Sequence, residues 1–173
     1  MSPDAEPIEN PCAFGNAWIV NDVQWVDSPN EEFEALATTD LRHTAIVGTE
    51  FQKHVGDFEV SDGLPGEVAL VDYKPNKLTY SFKANQNQLV VFSEIWSDTG
   101  WKLYIDGEES PLLRANYLLR AAFVPSGEHQ MVMEYAPKAW KVGNTIQLAA
   151  SLILIIGLAA TIILSFRKKK SVA

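Results

Sequence analysis

The sequence predicts a mainly β protein: an antiparallel β-sandwich with one short helix, followed by a single C-terminal transmembrane α-helix. Three observations indicate this class. Several short stretches alternate apolar and polar residues and end at Gly, Pro, Asn or Asp, which is typical of half-buried strands. A Ser-Pro-Asn-Glu sequence at residues 28–31 is typical of a helix start. Residues 145–166 carry no charge and are long enough to cross a bilayer.

The strand candidates are spread from residue 16 to residue 136. The early ones are NAWIVNDVQWV, TAIVG and GEVALVDY. SFKANQNQLVVFSEIW passes from one strand through a polar turn into another, and Leu78, Tyr80 and Phe82 alternate with Thr79 and Ser81 along the first of these strands. GWKLYIDG ends at Asp106-Gly107, a tight-turn signal. SPLLRANYLLRAAFVPSG predicts one or two strands, and EHQMVMEYAP predicts another. Many short strands at this spacing favour a sandwich.

One short helix is predicted within DSPNEEFEAL. Ser28 is the expected N-cap, Pro29 occupies the first helical position, and Glu31 completes a capping box. The residues expected to share one face of this helix are Phe33, Leu36 and Ala37.

The charge distribution excludes nucleic acid as a partner. The chain has 173 residues and a net charge of -8, with 14 basic and 22 acidic residues. Four of the basic residues follow residue 166, so residues 1–144 hold 10 basic residues against all 22 acidic ones. Phosphates require clusters of Lys and Arg, which this body lacks.

We expect neither a metal nor a cofactor. Cys12 is the only cysteine, so the chain cannot form an internal disulfide, and a thiolate zinc site is not expected. His43, His54 and His129 are far apart and show no ligand spacing. The sequence contains no phosphate-binding glycine loop and no hydrolase motif.

The apolar segment at 145–166 predicts a membrane span. At about 1.5 Å per residue a helix of this length reaches about 33 Å, enough for a hydrocarbon core of about 30 Å. The alternative, a buried core helix, is less favoured because such helices rarely run this far without a polar face. Aromatic and basic residues flank the segment as they do at bilayer interfaces, and the expected interface residues are Trp140, Lys141, Arg167, Lys168, Lys169 and Lys170.

The basic cluster predicts the orientation of the chain. By the positive-inside rule it stays cytoplasmic, which places residues 1–144 outside the cell membrane. The first residues, MSPDAEPIENPCAFGNAW, have neither the basic nor the apolar region of a signal peptide. Two explanations remain open: a tail-anchored protein with a cytoplasmic body, or the last part of a longer polytopic chain.

Several spaced motifs extend over about residues 10–166. The upstream elements are NPCAFGNAWIV and YKPNKLTY. The downstream residues of the pattern are Phe92, Ser93, Glu94, Ile95, Gly100, Trp101, Ile105, Asp106, Gly107, Arg114, Asn116, Tyr117, Leu119, Arg120, Ala121, Val124, Pro125, Gly127 and His129. Together these motifs resemble the C-terminal region of the YfhO family of bacterial polytopic membrane proteins. Cys12 departs from the resemblance, since an aromatic residue is expected there, and we interpret this as a tolerated local change.

The resemblance implies that many transmembrane helices precede this region in the bacterial cytoplasmic membrane. It also implies a relation to GT-C glycosyltransferases, which take sugars from polyprenyl-phosphate carriers; one role assigned in the family is glycosylation of cell-wall teichoic acid polymers. The catalytic acids of such enzymes are expected near the start of the membrane part, so no catalytic residue is assigned here. The implied partners are the bilayer, the upstream helices, and a lipid-linked sugar or envelope glycan.

A polar cluster is the main candidate site within the body. Arg114, Asn116 and Arg120 have even spacings, so on one continuous strand they would share a face. A guanidinium suits a lipid phosphate or an acidic glycan, but it also suits the carboxylate of Glu94, which stands in an apolar strand and needs a partner. We favour the structural interpretation, in which one arginine pairs with Glu94.

Other candidate sites are weaker. Trp96 and Trp101 are candidates for stacking on sugar rings, although core packing explains most tryptophans of a small sandwich. A glycosidase pair would need two facing carboxylates. Glu108 and Glu109 follow a turn and are more simply explained as solvated, so we do not expect catalysis by this domain.

The predicted domain organisation has five parts. Residues 1–12 form a lead-in, 13–137 the extracytoplasmic sandwich, 138–144 a juxtamembrane linker, 145–166 the transmembrane helix and 167–173 a basic cytoplasmic tail. On this interpretation Met1 marks the boundary of a fragment. The alternative function is that of a stand-alone, single-pass anchored binding or structural module without catalysis.

Overall fold

The computed structural model describes residues 10–55, 58–61, 63 and 66–170, without the side chains of residues 138, 141 and 162–170. The chain divides into two compact units, residues 1–135 and 136–173. The first unit, which we call the β domain, holds eleven strands and two short helices in its described part. They are β1 Ala17–Val20, β2 Asp22–Val26, α1 Pro29–Ala35, β3 Thr44–Gly48, a 3-10 helix Thr49–His54, β4 Glu67–Lys74, β5 Lys77–Ala84, β6 Gln88–Ile95, β7 Trp101–Ile105, β8 Glu108–Ser110, β9 Leu113–Ala115, β10 Leu119–Val124 and β11 Gly127–Tyr135.

Two sheets confirm the predicted fold class. The six-stranded sheet has the order β1-β6-β10-β9-β3-β2, and the five-stranded sheet has the order β4-β5-β11-β7-β8. The pairing of β2 with β3 is parallel, while the other pairs among the described strands are antiparallel. The connection from β2 to β3 passes through α1, and such a crossover returns the chain in the same direction.

The six-stranded sheet is buried on both faces. One face and the five-stranded sheet enclose a core that includes Tyr80 and Phe92, whose rings meet edge to face with centroids 4.9 Å apart. Successive side chains point to opposite faces, so Leu89 and Val91 lie on the other face, against Phe51 and Val60. Burial on both faces explains the continuous apolar run of residues 89–92.

Two of the predicted strand segments are interrupted. NAWIVNDVQWV divides into β1 and β2 at Asn21, and SPLLRANYLLRAAFV divides into β9 and β10 at residues 116–118. Arg114 and Arg120 therefore do not lie on one continuous strand. They are register partners on neighbouring strands, which still gives them a common face.

The helix α1 starts as predicted and buries Glu32 and Ala35. The Ser28 hydroxyl accepts a hydrogen bond from the backbone N–H of Glu31 at 3.3 Å, and Pro29 is the first helical residue. The buried residues are Glu32 and Ala35, whereas Phe33 is exposed and its ring contacts Tyr117. Of the three residues predicted to share a face, Leu36 is partly buried, while Phe33 and Ala37 are exposed; the buried Glu32 is an ion-pair partner of Arg114.

The two ends of the β domain differ in what they carry. β1 begins at Ala17 and β11 ends at Tyr135, so the chain enters and leaves the β domain at one end, which we call the exit end. The Arg120 guanidinium at the start of β10 lies 4.1 Å from the ring centroid of Trp101 at the start of β7, which brings the exit ends of the two sheets together. The opposite end, which we call the far end, carries the turns that follow β5, β7 and β10.

The second unit contains α2, Lys138–Lys170. Within it Val142–Thr161 is long and apolar enough to span a membrane. Residues 138–144, predicted as a linker, are helical. Of the expected interface residues, Trp140 is exposed. The side chains of Lys141, Arg167, Lys168, Lys169 and Lys170 lie outside the described part of the structure.

Candidate functional site

The turn between β9 and β10 positions most of the predicted polar cluster. Asn116 and Tyr117 both adopt left-handed backbone conformations, with φ of 51° and 71°. The Asn116 N–H donates to the carbonyl of Ile46 at 2.8 Å, and its side-chain Oδ1 accepts from the Ile46 N–H at 2.9 Å. Asn tolerates this conformation better than most residues. The turn is therefore fixed to β3 by both the backbone and the side chain of Asn116.

Glu32 of α1 is the centre of this cluster, and sequence reasoning missed it. Its side chain is fully buried. One carboxylate oxygen accepts from the Tyr117 N–H at 2.8 Å, and the other accepts from Nη2 of Arg114 at 3.0 Å. Arg114 also reaches Glu50 at 3.2 Å. The position of Glu32 three residues before Ala35 was the available signal, because the two share a helical face.

Arg120 is buried without a carboxylate partner among the described residues. It is 4% exposed, its Nη1 lies 3.8 Å from Sδ of Met133, and its Nε has no hydrogen-bond partner. Loss of hydration on burial lowers the pKa of Arg120, and the charge of Glu94 acts in the opposite direction. The guanidinium is held by the face of Trp101, an arrangement worth about 2 kcal/mol when desolvated.

The predicted contact between Glu94 and an arginine is not formed. No ion pair within 4.0 Å joins Glu94 to a cation in the described part of the chain; Arg114 takes Glu32 and Glu50 instead. The charge of Glu94 acts instead on the Tyr80 hydroxyl. Burial first, and then the charge of Glu94, raise the pKa of Tyr80 to about 12.

Both candidate sugar-stacking tryptophans are used by the fold. The Trp101 ring packs against Arg120 on one side and lies 5.4 Å from the Tyr135 ring. The Trp96 ring lies 5.8 Å from the Arg114 guanidinium and meets the Phe51 ring edge to face at 6.0 Å. Both side chains are half-buried. Stacking on a sugar would have to compete with these contacts.

A cleft at the far end was not predicted. It encloses about 620 Å³ and is lined by both carboxylates and aromatic rings. Asp106 and Glu108 lie on one side, and Phe58 and Phe123, whose centroids are 5.0 Å apart, contribute apolar wall. Carboxylates accept hydrogen bonds from hydroxyl groups and ring faces pack against apolar surface, so this lining could bind a polyhydroxyl ligand.

The tight turn at Asp106-Gly107 orders one wall of the cleft. Asp106 and Gly107 have φ of 52° and 89°, as expected for this hairpin signal. The Asp106 carboxylate lies 2.6 Å from Nδ1 of His129 and accepts from the Gln130 N–H at 2.9 Å. The hydrogen bond with His129, followed by the one from Gln130, lowers the pKa of Asp106.

Within the described residues, no group of three or more His, Cys, Asp or Glu side chains is arranged to hold a metal ion.

Comparison with known proteins gives one finding. The sequence model of a family described as "Bacterial membrane protein YfhO" matches residues 46–147. The match runs from β3 through β11 into the first part of α2. No curated protein and no solved structure matches the chain.

Proposed function

The chain belongs to the YfhO family of bacterial membrane proteins, and from this premise we propose that the β domain is the extracytoplasmic accessory domain of a sugar-transferring membrane protein. The intact protein transfers a sugar from a polyprenyl-phosphate carrier to a cell-envelope glycopolymer. The β domain supports the membrane-embedded catalytic part, and α2 is its last span.

The observation that carries this proposal is the family match across both units. The match covers strands β3 to β11 and ends at residue 147, shortly after the apolar segment begins at Val142, and the matching family is described as membrane proteins. The position of the exit end agrees with this arrangement. A domain placed between two membrane segments needs its entry and its exit on one side, and both Ala17 and Tyr135 lie there.

The proposed orientation rests on charge. The 10 basic and 22 acidic residues of positions 1–144 contrast with the four consecutive basic residues at positions 167–170. Basic residues next to a span are retained in the cytoplasm. The acidic β domain is then extracytoplasmic, where the polymer acceptors of an envelope glycosyltransferase are found.

The accessory role follows from how the polar cluster is used. Arg114 is bound to two carboxylates, and Arg120 is enclosed between Trp101 and Met133. Neither guanidinium is free to take a lipid phosphate without breaking these contacts. We therefore assign the cluster to the stability of the β domain and the chemistry to the membrane part of the intact protein.

A transfer assay tests this function. Membranes of the native host receive a radiolabelled sugar on its polyprenyl phosphate, and label in the envelope polymer is counted. Deletion of the gene should abolish the label, and the complete gene should restore it. Deletion of codons 17–135 alone should leave the protein in the membrane but strongly reduce transfer. Unchanged labelling without the gene would contradict sugar transfer and favour the non-catalytic anchored module.

The far-end cleft favours a second role, contact with the acceptor glycan. Its carboxylates and aromatic rings suit a polyhydroxyl chain. Phe123→Ser should then weaken retention of purified envelope glycan by the intact protein, whereas Phe33→Ser, at an exposed ring on α1 outside the cleft, should leave retention unchanged. Equal retention by both variants would exclude the cleft as the contact.

A further inference from the structure

The exposed apolar side chains of the β domain gather at the exit end. In the described part of this domain, seven large apolar side chains are exposed. Five of the seven lie at the exit end. Of the other two, Phe33 on α1 contacts Tyr117, and Val71 lies on strand β4. The five at the exit end, which are 42–69% exposed, are Tyr73, Ile95, Tyr117, Leu118 and Tyr135.

Chain topology brings these five side chains to the same end. Tyr73 stands just before the β4–β5 turn, and the Tyr135 N–H donates to the carbonyl of Asn76 in that turn at 2.8 Å. Ile95 ends β6 and is the register partner of Leu119. Tyr117 and Leu118 form the turn that precedes Leu119. The surface therefore spans both sheets.

The far end has a different character. None of the large apolar side chains exposed in the described part of the β domain lies there. The turns that follow β5, β7 and β10 present Asn87, Asp106, Gly107 and Ser126 instead. A sandwich surrounded by water on all sides has no reason to concentrate apolar side chains at one end, so the contrast points to a partner at the exit end.

The covalent chain limits how far the exit end can be from the membrane. Tyr135 ends β11 and Lys138 begins α2, so two residues connect them. An extended chain covers at most about 3.6 Å per residue, and therefore the end of β11 lies no more than about 11 Å from the first residue of α2. The apolar segment begins at Val142, about 6 Å further along a helix.

We propose that the exit end of the β domain rests on the lipid bilayer, with Ile95 and Leu118 in the interfacial region and the three tyrosines at the headgroup level. Tyr is enriched at this depth because its ring is apolar and its hydroxyl can stay hydrated. None of the five side chains of this surface is charged. The charged neighbours of Tyr73, Asp72 and Lys74, form an exposed ion pair at 3.0 Å and would lie at the hydrated headgroup level. The inference rests on the proposed membrane anchoring by α2 but not on sugar transfer or on the side of the membrane.

Nitroxide accessibility tests the proposal. In the intact protein with other cysteines removed, including Cys12→Ser, single cysteines replace Ile95 or Leu118 at the exit end, Ser126 at the far end, and Leu154 within α2. Each is spin-labelled in lipid nanodiscs, and collision with oxygen, which concentrates in lipid, is compared with collision with a water-soluble nickel chelate. Thermal unfolding of each labelled variant verifies that the fold is retained.

The expected result is a positive depth parameter at Leu154, a smaller positive value at Ile95 and Leu118, and a negative value at Ser126. High nickel accessibility at Ile95 and Leu118 would overturn the proposal because these side chains would be in water. Low accessibility to both reagents would also overturn it, in favour of upstream helices or a second copy as the cover. A negative value at Leu154 would remove the anchoring premise itself, which distinguishes that failure from a failure of this inference alone.

Discussion

At the exit end of the β domain large apolar side chains reach the surface beside a buried ionic cluster, while at the far end the described residues expose no large apolar side chain and carboxylates line a cleft. Glu32, Asn116 and Arg120 are buried near the exit end. At the far end, Asp106 and Glu108 line an open cleft. The difference in surface chemistry between the two ends is the observation on which the proposed contact of the exit end with the bilayer rests.

The largest expected loss of stability comes from substitution of Arg114, and its register partner Arg120 serves as the comparison. Arg114→Met should lower the free energy of unfolding by about 3–5 kcal/mol, because it leaves the buried Glu32 carboxylate without its cation. Arg120→Met should cost less than about 1.5 kcal/mol, because no carboxylate loses a partner and the relief of guanidinium desolvation offsets the lost contact with the Trp101 ring. Denaturant unfolding in detergent measures both, and equal losses would break the distinction between the two environments.

Substitution of Asn116, in the turn between β9 and β10, should give the next largest loss of stability. Asn116→Ala leaves the buried N–H of Ile46 unpaired, at about 1–3 kcal/mol, and keeps a β-carbon in the left-handed conformation without the polar side chain that lets Asn tolerate it, which adds a further loss. Asn116→Gly loses only the hydrogen bond. Thermal unfolding should therefore rank wild type above the glycine variant and the glycine variant above alanine. The reverse order of the two variants would contradict this account of the turn.

Alanine substitution of one glycine at each end allows the loss of stability at the two ends to be compared directly. Gly107→Ala at the far end should cost about 1–2 kcal/mol, because φ is 89° while no atom lies within 4 Å of an added β-carbon. Gly100→Ala near the exit end has a similar φ of 87°, but the new β-carbon would meet the Tyr135 ring at 2.5 Å. The melting temperature of the Gly100→Ala variant should therefore fall further than that of the Gly107→Ala variant. An equal fall would mean that Tyr135 moves away freely.

The smallest expected effect is a pH dependence at the far end. The pKa of Asp106 is lowered in the folded state by its hydrogen bond with His129. Its contribution to stability is thus full above the unfolded pKa of about 3.9 and is lost as pH falls through the folded pKa. The side chain is half exposed, so the contribution should stay below about 1 kcal/mol. Unfolding between pH 2 and pH 5 should show less acid sensitivity in Asp106→Asn, and an unchanged profile would contradict the assignment.

Local chemistry made part of this structure predictable. The Ser28 cap, the Asp106-Gly107 turn and the alternation along β5 each depend on neighbouring residues, and each was found in the sequence. The partner of Arg114 was not found, because Glu32 stands 82 positions away and only the fold brings the two together. The same holds for the cleft, whose walls come from separate segments, and for the exit-end surface, whose side chains are scattered over strands of both sheets.

Chemical labelling of the two ends of the chain tests the central claim most directly, namely that the β domain is extracytoplasmic and α2 leads into the cytoplasm. Cys12 is exposed and precedes strand β1 of the β domain; Ser171→Cys in a Cys12→Ser background marks the basic tail. In intact spheroplasts of the native host, a membrane-impermeant maleimide should modify Cys12 at once and Ser171→Cys only after permeabilisation. Protection of Cys12 until the membrane is opened, with immediate labelling of the tail, would contradict the account.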